Sequence, residues 1–64
     1  MTKNEYREFF AYCKQYIKLS AACKNAQIKQ SNLTAFLRGY DYALSIEKLE
    51  RIKRAITDIC ENIV

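Results

Sequence analysis

The polar side chains of this sequence that could do chemistry are amides, hydroxyls and cations, and in its middle part they occur without acidic residues. From Phe9 to Tyr40 every charged residue is basic, and the acidic residues lie before or after that segment. The basic residues are Lys14, Lys18, Lys24, Lys29 and Arg38. A positive field confined to one segment suits the neutralisation of nucleic-acid phosphates, and the net charge of +4 has the same sign. An ordinary basic protein surface is the alternative explanation.

The composition offers little for catalysis or for metal and cofactor binding. The chain has no histidine and a single glycine, which argues against a zinc site and against a glycine-rich phosphate loop. No pair of carboxylates has a spacing that would bring the two groups into one pocket. We therefore expect a protein that is not an enzyme and that uses no metal, no cofactor and no small-molecule substrate.

The three cysteines, Cys13, Cys23 and Cys60, are widely spaced and form no CxxC pair. Each falls on an apolar face of a predicted helix, where cysteine behaves as a small hydrophobic residue. Free thiols are typical of a reducing compartment. No apolar run is long enough to cross a bilayer, and no signal-peptide pattern opens the chain, so we expect a cytoplasmic protein without membrane contact.

Apolar periodicity predicts an all-α fold in one domain, residues 1–64, with helices at about 3–17, 19–26, 30–38 and 46–62. The spacing of Thr2 and Glu5 indicates a capping box at the start of the first helix. The apolar stripe of that helix comprises Tyr6, Phe9, Phe10, Cys13, Tyr16 and Ile17, with Arg7 on its other side. The sequence contains no proline, and its only glycine, Gly39, stands where a left-handed residue would close the third helix.

The second and third helices are short and joined by a tight turn. Small residues in the second helix allow another helix to cross it closely, Ser20 is its possible N-cap, and Asn25 is expected to tolerate a left-handed backbone in the turn. The third helix is predicted to bury Leu33, Phe36 and Leu37. Its outward residues are then Gln30, Ser31, Asn32, Thr34, Ala35 and Arg38. Short amides and hydroxyls on such a face suit base edges and phosphates, although a solvated face would look similar.

The segment from Ile17 to Ile56 resembles the Cro/XRE-type helix-turn-helix DNA-binding domains of phage repressors. The resemblance is carried by Cys23 at a small-residue position, by Ile28 after the turn, by Leu33 and Phe36, and by the runs FLRG and LSIEKLERIKRAI. The chain departs from the family at three positions. Gln27 replaces a favoured glycine, Leu19 replaces a frequent glutamine, and Lys29 replaces a Ser/Thr cap.

This resemblance implies a compact, lambda-repressor-like bundle of four to five helices with a central helix-turn-helix. The third helix would lie in the DNA major groove. The resemblance assigns base reading to Gln30, Ser31 and Ala35. Phosphate contacts are expected from Lys18, Lys24, Lys29, Asn32, Thr34, Arg38 and Tyr40.

The fourth helix is predicted to start at Ile46 with Ser45 as its N-cap. Its apolar seam comprises Leu49, Ile52, Ile56, Ile59 and Ile63, and its solvated side carries the possible pairs Glu47–Arg51, Glu50–Lys53 and Glu50–Arg54. The later part of the seam, Ile56, Ile59 and Ile63, fits a homodimer interface. Packing against the first helix explains the same residues equally well.

These patterns favour a sequence-specific, DNA-binding transcriptional regulator of phage, mobile-element or bacterial-operon type. It would act by occupying an operator in double-stranded DNA, as a homodimer. The alternative is a helical protein–protein interaction module, resembling an anti-repressor or an antitoxin, that does not itself bind DNA.

Overall fold

Four α-helices make up most of the computed structural model, which describes the backbone of residues 1–63 and the side chains of residues 1–61. They are α1 (Lys3–Cys13), α2 (Leu19–Ala26), α3 (Gln30–Leu37) and α4 (Ile46–Ile63), with a 3₁₀ turn at Asp41–Ala43. No strand occurs among the described residues. The all-α prediction is confirmed. The radius of gyration is 10.7 Å, close to the roughly 10.7 Å expected for a compact chain of this length.

The start of α1 is fixed by the predicted capping box. The Glu5 backbone N–H donates to the Thr2 hydroxyl at 3.2 Å, and the Thr2 N–H donates to Glu5 Oε1 at 2.8 Å. The helix ends at Cys13, not at Ile17, because the next residues turn and the N–H groups of Tyr16 and Ile17 both bond to the Cys13 carbonyl. The turn leaves Ile17 packed against the core while Tyr16 is 69 % exposed. Tyr16 therefore does not belong to the apolar stripe.

The turn between α2 and α3 depends on one left-handed residue. Gln27 has φ 60° and ψ 44°, whereas Asn25 remains helical, so the expectation of a left-handed backbone at Asn25 is wrong. The Ile28 N–H donates to the Cys23 carbonyl at 2.9 Å and the Gln27 N–H to the Lys24 carbonyl at 3.2 Å. These two bonds form a Schellman motif, which closes α2 and reverses the chain within three residues.

The same motif closes α3 on Gly39, as predicted. Gly39 has φ +114°, its N–H donates to the Phe36 carbonyl at 3.0 Å, and the Tyr40 N–H donates to the Ala35 carbonyl at 3.1 Å. At its other end α3 follows Lys29, which makes no side-chain cap. The α2 helix likewise begins after Lys18 without a side-chain cap, so Ser20 is not the N-cap that the sequence suggested.

One apolar core joins the helices, and α4 packs mainly against α2. The buried residues are Tyr6, Phe10, Ala22, Cys23, Ala26, Leu33, Phe36, Leu44, Leu49, Ile52, Ala55 and Ile56. The predicted core residues Leu33 and Phe36 are confirmed, and Leu37 is half-buried against the same cluster. Ser45 caps α4, since its hydroxyl accepts from the Lys48 N–H at 3.4 Å.

The apolar seam of α4 is used mostly inside the subunit. Ile56 is only 2 % exposed, so the structure corrects its assignment to a dimer interface. Ile59 is half-buried against the core. The predicted contact of Ile63 lies outside the described side chains.

The charged side of α4 also differs from the prediction. None of the expected pairs Glu47–Arg51, Glu50–Lys53 and Glu50–Arg54 forms an ion pair, because the side chains of Glu50 and Arg51 find other partners. Glu50 accepts a hydrogen bond from the Tyr6 hydroxyl, and Arg51 Nη2 donates to the Ala26 carbonyl at 2.7 Å. The surface of α4 is thereby tied to α1 and to the end of α2.

The cysteines are free thiols in three different environments. Cys23 is buried, Cys13 is half-buried, and Cys60 is exposed, so the expectation of an apolar site fails for Cys60. Burial raises the pKa of both the Cys23 and the Cys13 thiols. A raised pKa suppresses the reactive thiolate, which agrees with a packing role for Cys23.

Among the described residues, no helix combines the length and the apolar character needed to cross a bilayer.

We expect Gln27→Gly to stabilise the protein. Left-handed backbone costs an L-residue about 1–2 kcal/mol, and glycine removes this strain. Because glycine also makes the unfolded chain more flexible, part of that gain in stability is lost again. The free energy of unfolding should rise by about 1 kcal/mol, and Tm by roughly 4–8 °C for a domain of this size. Thermal and urea melts measure both. Asn25→Gly is the control, because Asn25 has helical backbone in the last turn of α2 and should lose stability. A loss of stability in both variants would contradict this account of the turn.

The bond between Tyr6 and Glu50 should make stability depend on pH at both extremes. It lowers the pKa of the Glu50 carboxyl and raises the pKa of the buried Tyr6 hydroxyl. The Glu50 contribution is therefore present above the unfolded carboxyl pKa of about 4.3 and is lost as pH falls through the lowered value. The Tyr6 contribution is present below about pH 10 and is lost as pH rises through the raised value.

Tyr6→Phe keeps the ring but removes the hydroxyl, so its stability should fall less than that of wild type between pH 7 and pH 3, and again above pH 10. Urea unfolding across this range measures the effect. Tyr12→Phe is the control, since Tyr12 is 60 % exposed and should leave the profile unchanged. Identical profiles for wild type and Tyr6→Phe would show that the bond does not couple folding to pH.

Candidate nucleic-acid interface

The side chains of α3 divide by helical geometry into a buried face and three outward directions. Each residue advances the helix by about 100°, so Ser31 and Ala35 project opposite the core-facing Leu33 and Phe36. Ser31 is exposed and the small Ala35 is half-buried. Gln30 and Thr34 project to one side of this pair, and Asn32 projects to the other.

A groove of about 350 Å³ lies along the Gln30 side of α3. Its polar lining comes from Lys14, Lys18, Ser20, Gln30 and Thr34, over an apolar floor that includes Ile17, Leu19, Leu33 and Leu37. We call it the α2 groove, because Lys18 and Ser20 stand at the start of α2. Its lining contains two lysines and no acid, so an anion would meet positive charge beside hydrogen-bonding side chains.

A second groove, of about 290 Å³, lies on the Asn32 side, and we call it the α4 groove. It is lined by Gln27, Ile28, Lys29, Asn32, Lys48 and Arg51. Lys29 comes from the turn before α3, whereas Lys48 and Arg51 come from the first half of α4. The bond from Arg51 to the Ala26 carbonyl holds its guanidinium beside the turn. This lining also carries cations and no acid.

The structure separates the predicted phosphate-binding residues into groups. Lys18 and Thr34 share the α2 groove, and Lys29 and Asn32 share the α4 groove. Lys24, Arg38 and Tyr40 are exposed and line neither groove. The last two follow the C-terminal end of α3, where the Tyr40 ring packs edge-on against Tyr42 with centroids 5.8 Å apart.

Three further cations line the grooves although the sequence did not predict them as site residues: Lys14, Lys48 and Arg51. Lys48 and Arg51 are three residues apart and therefore project from neighbouring positions on one side of α4. That spacing was a usable signal. No signal in the sequence indicates that these two residues lie close to Lys29, because that distance depends on how α4 crosses the end of α2.

Arg7 is a further residue whose role the sequence did not indicate. Its guanidinium lies 4.5 Å from the centre of the Phe36 ring, and its Nε donates to the Phe36 carbonyl at 2.9 Å. The same guanidinium forms an ion pair with the Asp41 carboxylate. The backbone carbonyl of Asp41 accepts a hydrogen bond from Lys3 Nζ at 2.7 Å. Arg7 thus holds the end of α3 and compensates the acid that follows it.

The lysines of the two grooves keep their charge available to a ligand. The Arg7–Asp41 pair is the only ion pair within the described part of the chain. Lys14, Lys18, Lys29 and Lys48 are all exposed. Each could neutralise a phosphate without first breaking an internal contact.

Comparisons with family models, with curated proteins and with solved structures gave no match to this chain.

Proposed function

We propose that this protein is a sequence-specific DNA-binding transcriptional regulator that acts by occupying an operator. In this proposal α2, the turn at Gln27 and α3 form a helix-turn-helix, and α3 enters the major groove. The observation that carries the proposal is the α2 groove, in which Lys14 and Lys18 lie beside the outward side chains Gln30 and Thr34 without an acid among them. Cations beside hydrogen-bonding side chains on a projecting helix suit a nucleic acid.

The dimensions and side chains of α3 fit this role. A helix is about 10–12 Å in diameter with its side chains, and the major groove of B-DNA is about 12 Å wide. Gln30 can form two hydrogen bonds with adenine, the Ser31 hydroxyl can bond to several base edges, and Ala35 can contact a thymine methyl group. Lys18, Lys24, Lys29 and Arg38, with the polar groups of Asn32, Thr34 and Tyr40, would contact phosphates.

The backbone supports membership of the Cro/XRE-type, lambda-repressor-like family as a further part of the proposal. That family favours glycine in the turn at the position of Gln27, and Gln27 has the left-handed backbone that glycine adopts without strain. The departure at this residue therefore changes the cost of the turn and leaves its geometry in place. We further propose action in the reducing cytoplasm, because all three cysteines are free thiols.

A homodimer is also part of the proposal. One helix-turn-helix unit contacts only a few base pairs, and two copies on a two-fold site multiply the specificity. Ile59 is the described residue of the predicted interface that remains partly accessible, since Ile56 is buried within the subunit.

The alternative, a protein-binding module, is favoured by one feature. Tyr12 and Tyr16 are 60 % and 69 % exposed, with ring centroids 5.1 Å apart. Exposed aromatic rings are common at protein interfaces. Ile56 is buried within the subunit and adds nothing to such a surface, whereas Ile46 of α4 is 46 % exposed.

The base-reading assignment is tested on a duplex selected by the wild-type protein from a random-sequence pool. We expect Gln30→Ala to weaken binding to that duplex by about 1–3 kcal/mol, because an adenine-specific bidentate contact is lost. Binding to an unrelated duplex should change little. Gln15→Ala is the control, since Gln15 is exposed in the segment after α1. An equal loss on both duplexes would remove Gln30 from base reading.

The phosphate assignment is tested by salt dependence. Lys18→Gln should weaken binding to every duplex and reduce the log–log salt slope by about 0.9 for each subunit bound, the value for one released counterion. Lys53→Gln removes the same charge from a groove that contains Glu50 and Asp58, and it should leave the slope unchanged. Equal slopes for wild type and Lys18→Gln would exclude a phosphate contact by Lys18.

A further inference from the structure

We propose that the α4 groove binds the phosphate backbone of the second DNA strand, with Lys48 and Arg51 as contacts from α4. The α2 groove would bind the first strand. This inference rests on the proposed DNA-binding function and adds to it a contact surface that lies outside the helix-turn-helix.

The position of the two grooves around α3 is the first support. Gln30 and Thr34 line the α2 groove, whereas Asn32 lines the α4 groove. From Gln30 to Asn32 the helix turns by about 200°, passing through Ser31. The grooves therefore flank α3 on opposite sides, and Ser31 and Ala35 project between them.

The shape of the major groove is the second support. It is bounded by two phosphate backbones about 12 Å apart, which is close to the diameter of one helix. A helix inserted there with Ser31 and Ala35 toward the bases has a phosphate backbone on each flank. Cations on both flanks of α3 match this arrangement.

The charges of the α4 groove are the third support. Lys29, Lys48 and Arg51 give it three cations, and no acid lines it. The guanidinium of Arg51 is already held by the Ala26 carbonyl, so little of its freedom is lost on binding. Within the described part of the chain, Lys48 Nζ makes no ion pair and is exposed. Lys53 lines a groove of mixed charge with Glu50, Arg54 and Asp58. Arg51 also borders two neighbouring grooves that contain acids, Asp58 in one and Glu47 and Glu50 in the other.

The test uses Lys48, because Arg51 also supports the fold. On the duplex selected by wild type, Lys48→Gln should reduce the log–log salt slope by about 0.9 for each subunit bound, and Lys48→Arg should restore it. Lys53→Gln is the matched control on the same helix and should not alter the slope. Circular dichroism and a thermal melt establish that each variant is folded.

Ethylation interference on the same duplex separates the strands. Within each half-site, wild type should be blocked by ethylation on both strands, Lys48→Gln should lose sensitivity on one strand, and Lys18→Gln should lose it on the other. A folded Lys48→Gln with an unchanged slope, alongside a reduced slope for Lys18→Gln, would overturn the α4 contact and leave the proposed function standing. Loss of sensitivity on the same strand of a half-site in both variants would overturn the two-strand arrangement. Failure of wild type to bind any duplex in a salt-dependent way would overturn both proposals.

Discussion

The burial of Phe36 is the constraint on which the position of α3 depends. Its ring is fully buried, and Arg7 of α1 lies over the ring and also bonds to the Phe36 carbonyl. Emptying a buried aromatic site costs about 3–5 kcal/mol, which is comparable with the whole stability expected of so small a domain. The outward face of α3 can therefore be held in one orientation only while this site is filled.

The length of α3 is set by the two Schellman motifs that bracket it. Gln27 turns the chain just before the helix, and Gly39 ends it soon after Leu37. With only 8 residues, α3 presents its polar side chains without a long apolar extension that would need further cover. This compact arrangement requires a strained, left-handed backbone at Gln27, just before the helix. At the other end glycine adopts the same kind of backbone without strain.

The features that the sequence could predict are those with local causes. The capping box at Thr2, the N-cap at Ser45, the closure at Gly39 and the burial of Leu33 and Phe36 all follow from spacing within one or two helical turns. The end of α1 at Cys13 was not predicted, because the apolar stripe continues in the sequence to Ile17. In the structure Ile17 lies in the turn after α1 and packs against the core from there. The burial of Ile56 within the subunit was not predicted, because periodicity shows that a helix has an apolar face but not whether the same chain or a second chain covers that face.

The features that the sequence could not predict join residues far apart in the chain. Tyr6 and Glu50 are 44 residues apart, Arg7 and Phe36 are 29 apart, and Arg51 and Ala26 are 25 apart. No local pattern identifies such partners, because each depends on how two helices cross. The candidate site shows the same division. The outward residues of α3 follow from its periodicity, whereas the cations from α4 join them only through the tertiary fold.

Whether a cation is bonded to other residues of the chain or left unpaired bears more directly on function than the net charge does. Arg7 is engaged by Phe36 and Asp41, and Arg51 is anchored to Ala26, so each contributes to the fold as well as to the surface potential. Lysines without ion pairs in the described structure line both grooves beside α3. Because exposed lysines gain little from weak surface pairing, their charge is available to a polyanion at small cost to stability. Stability and binding can thus be altered separately in this chain, the first through Arg7 and the second through the lysines of the two grooves.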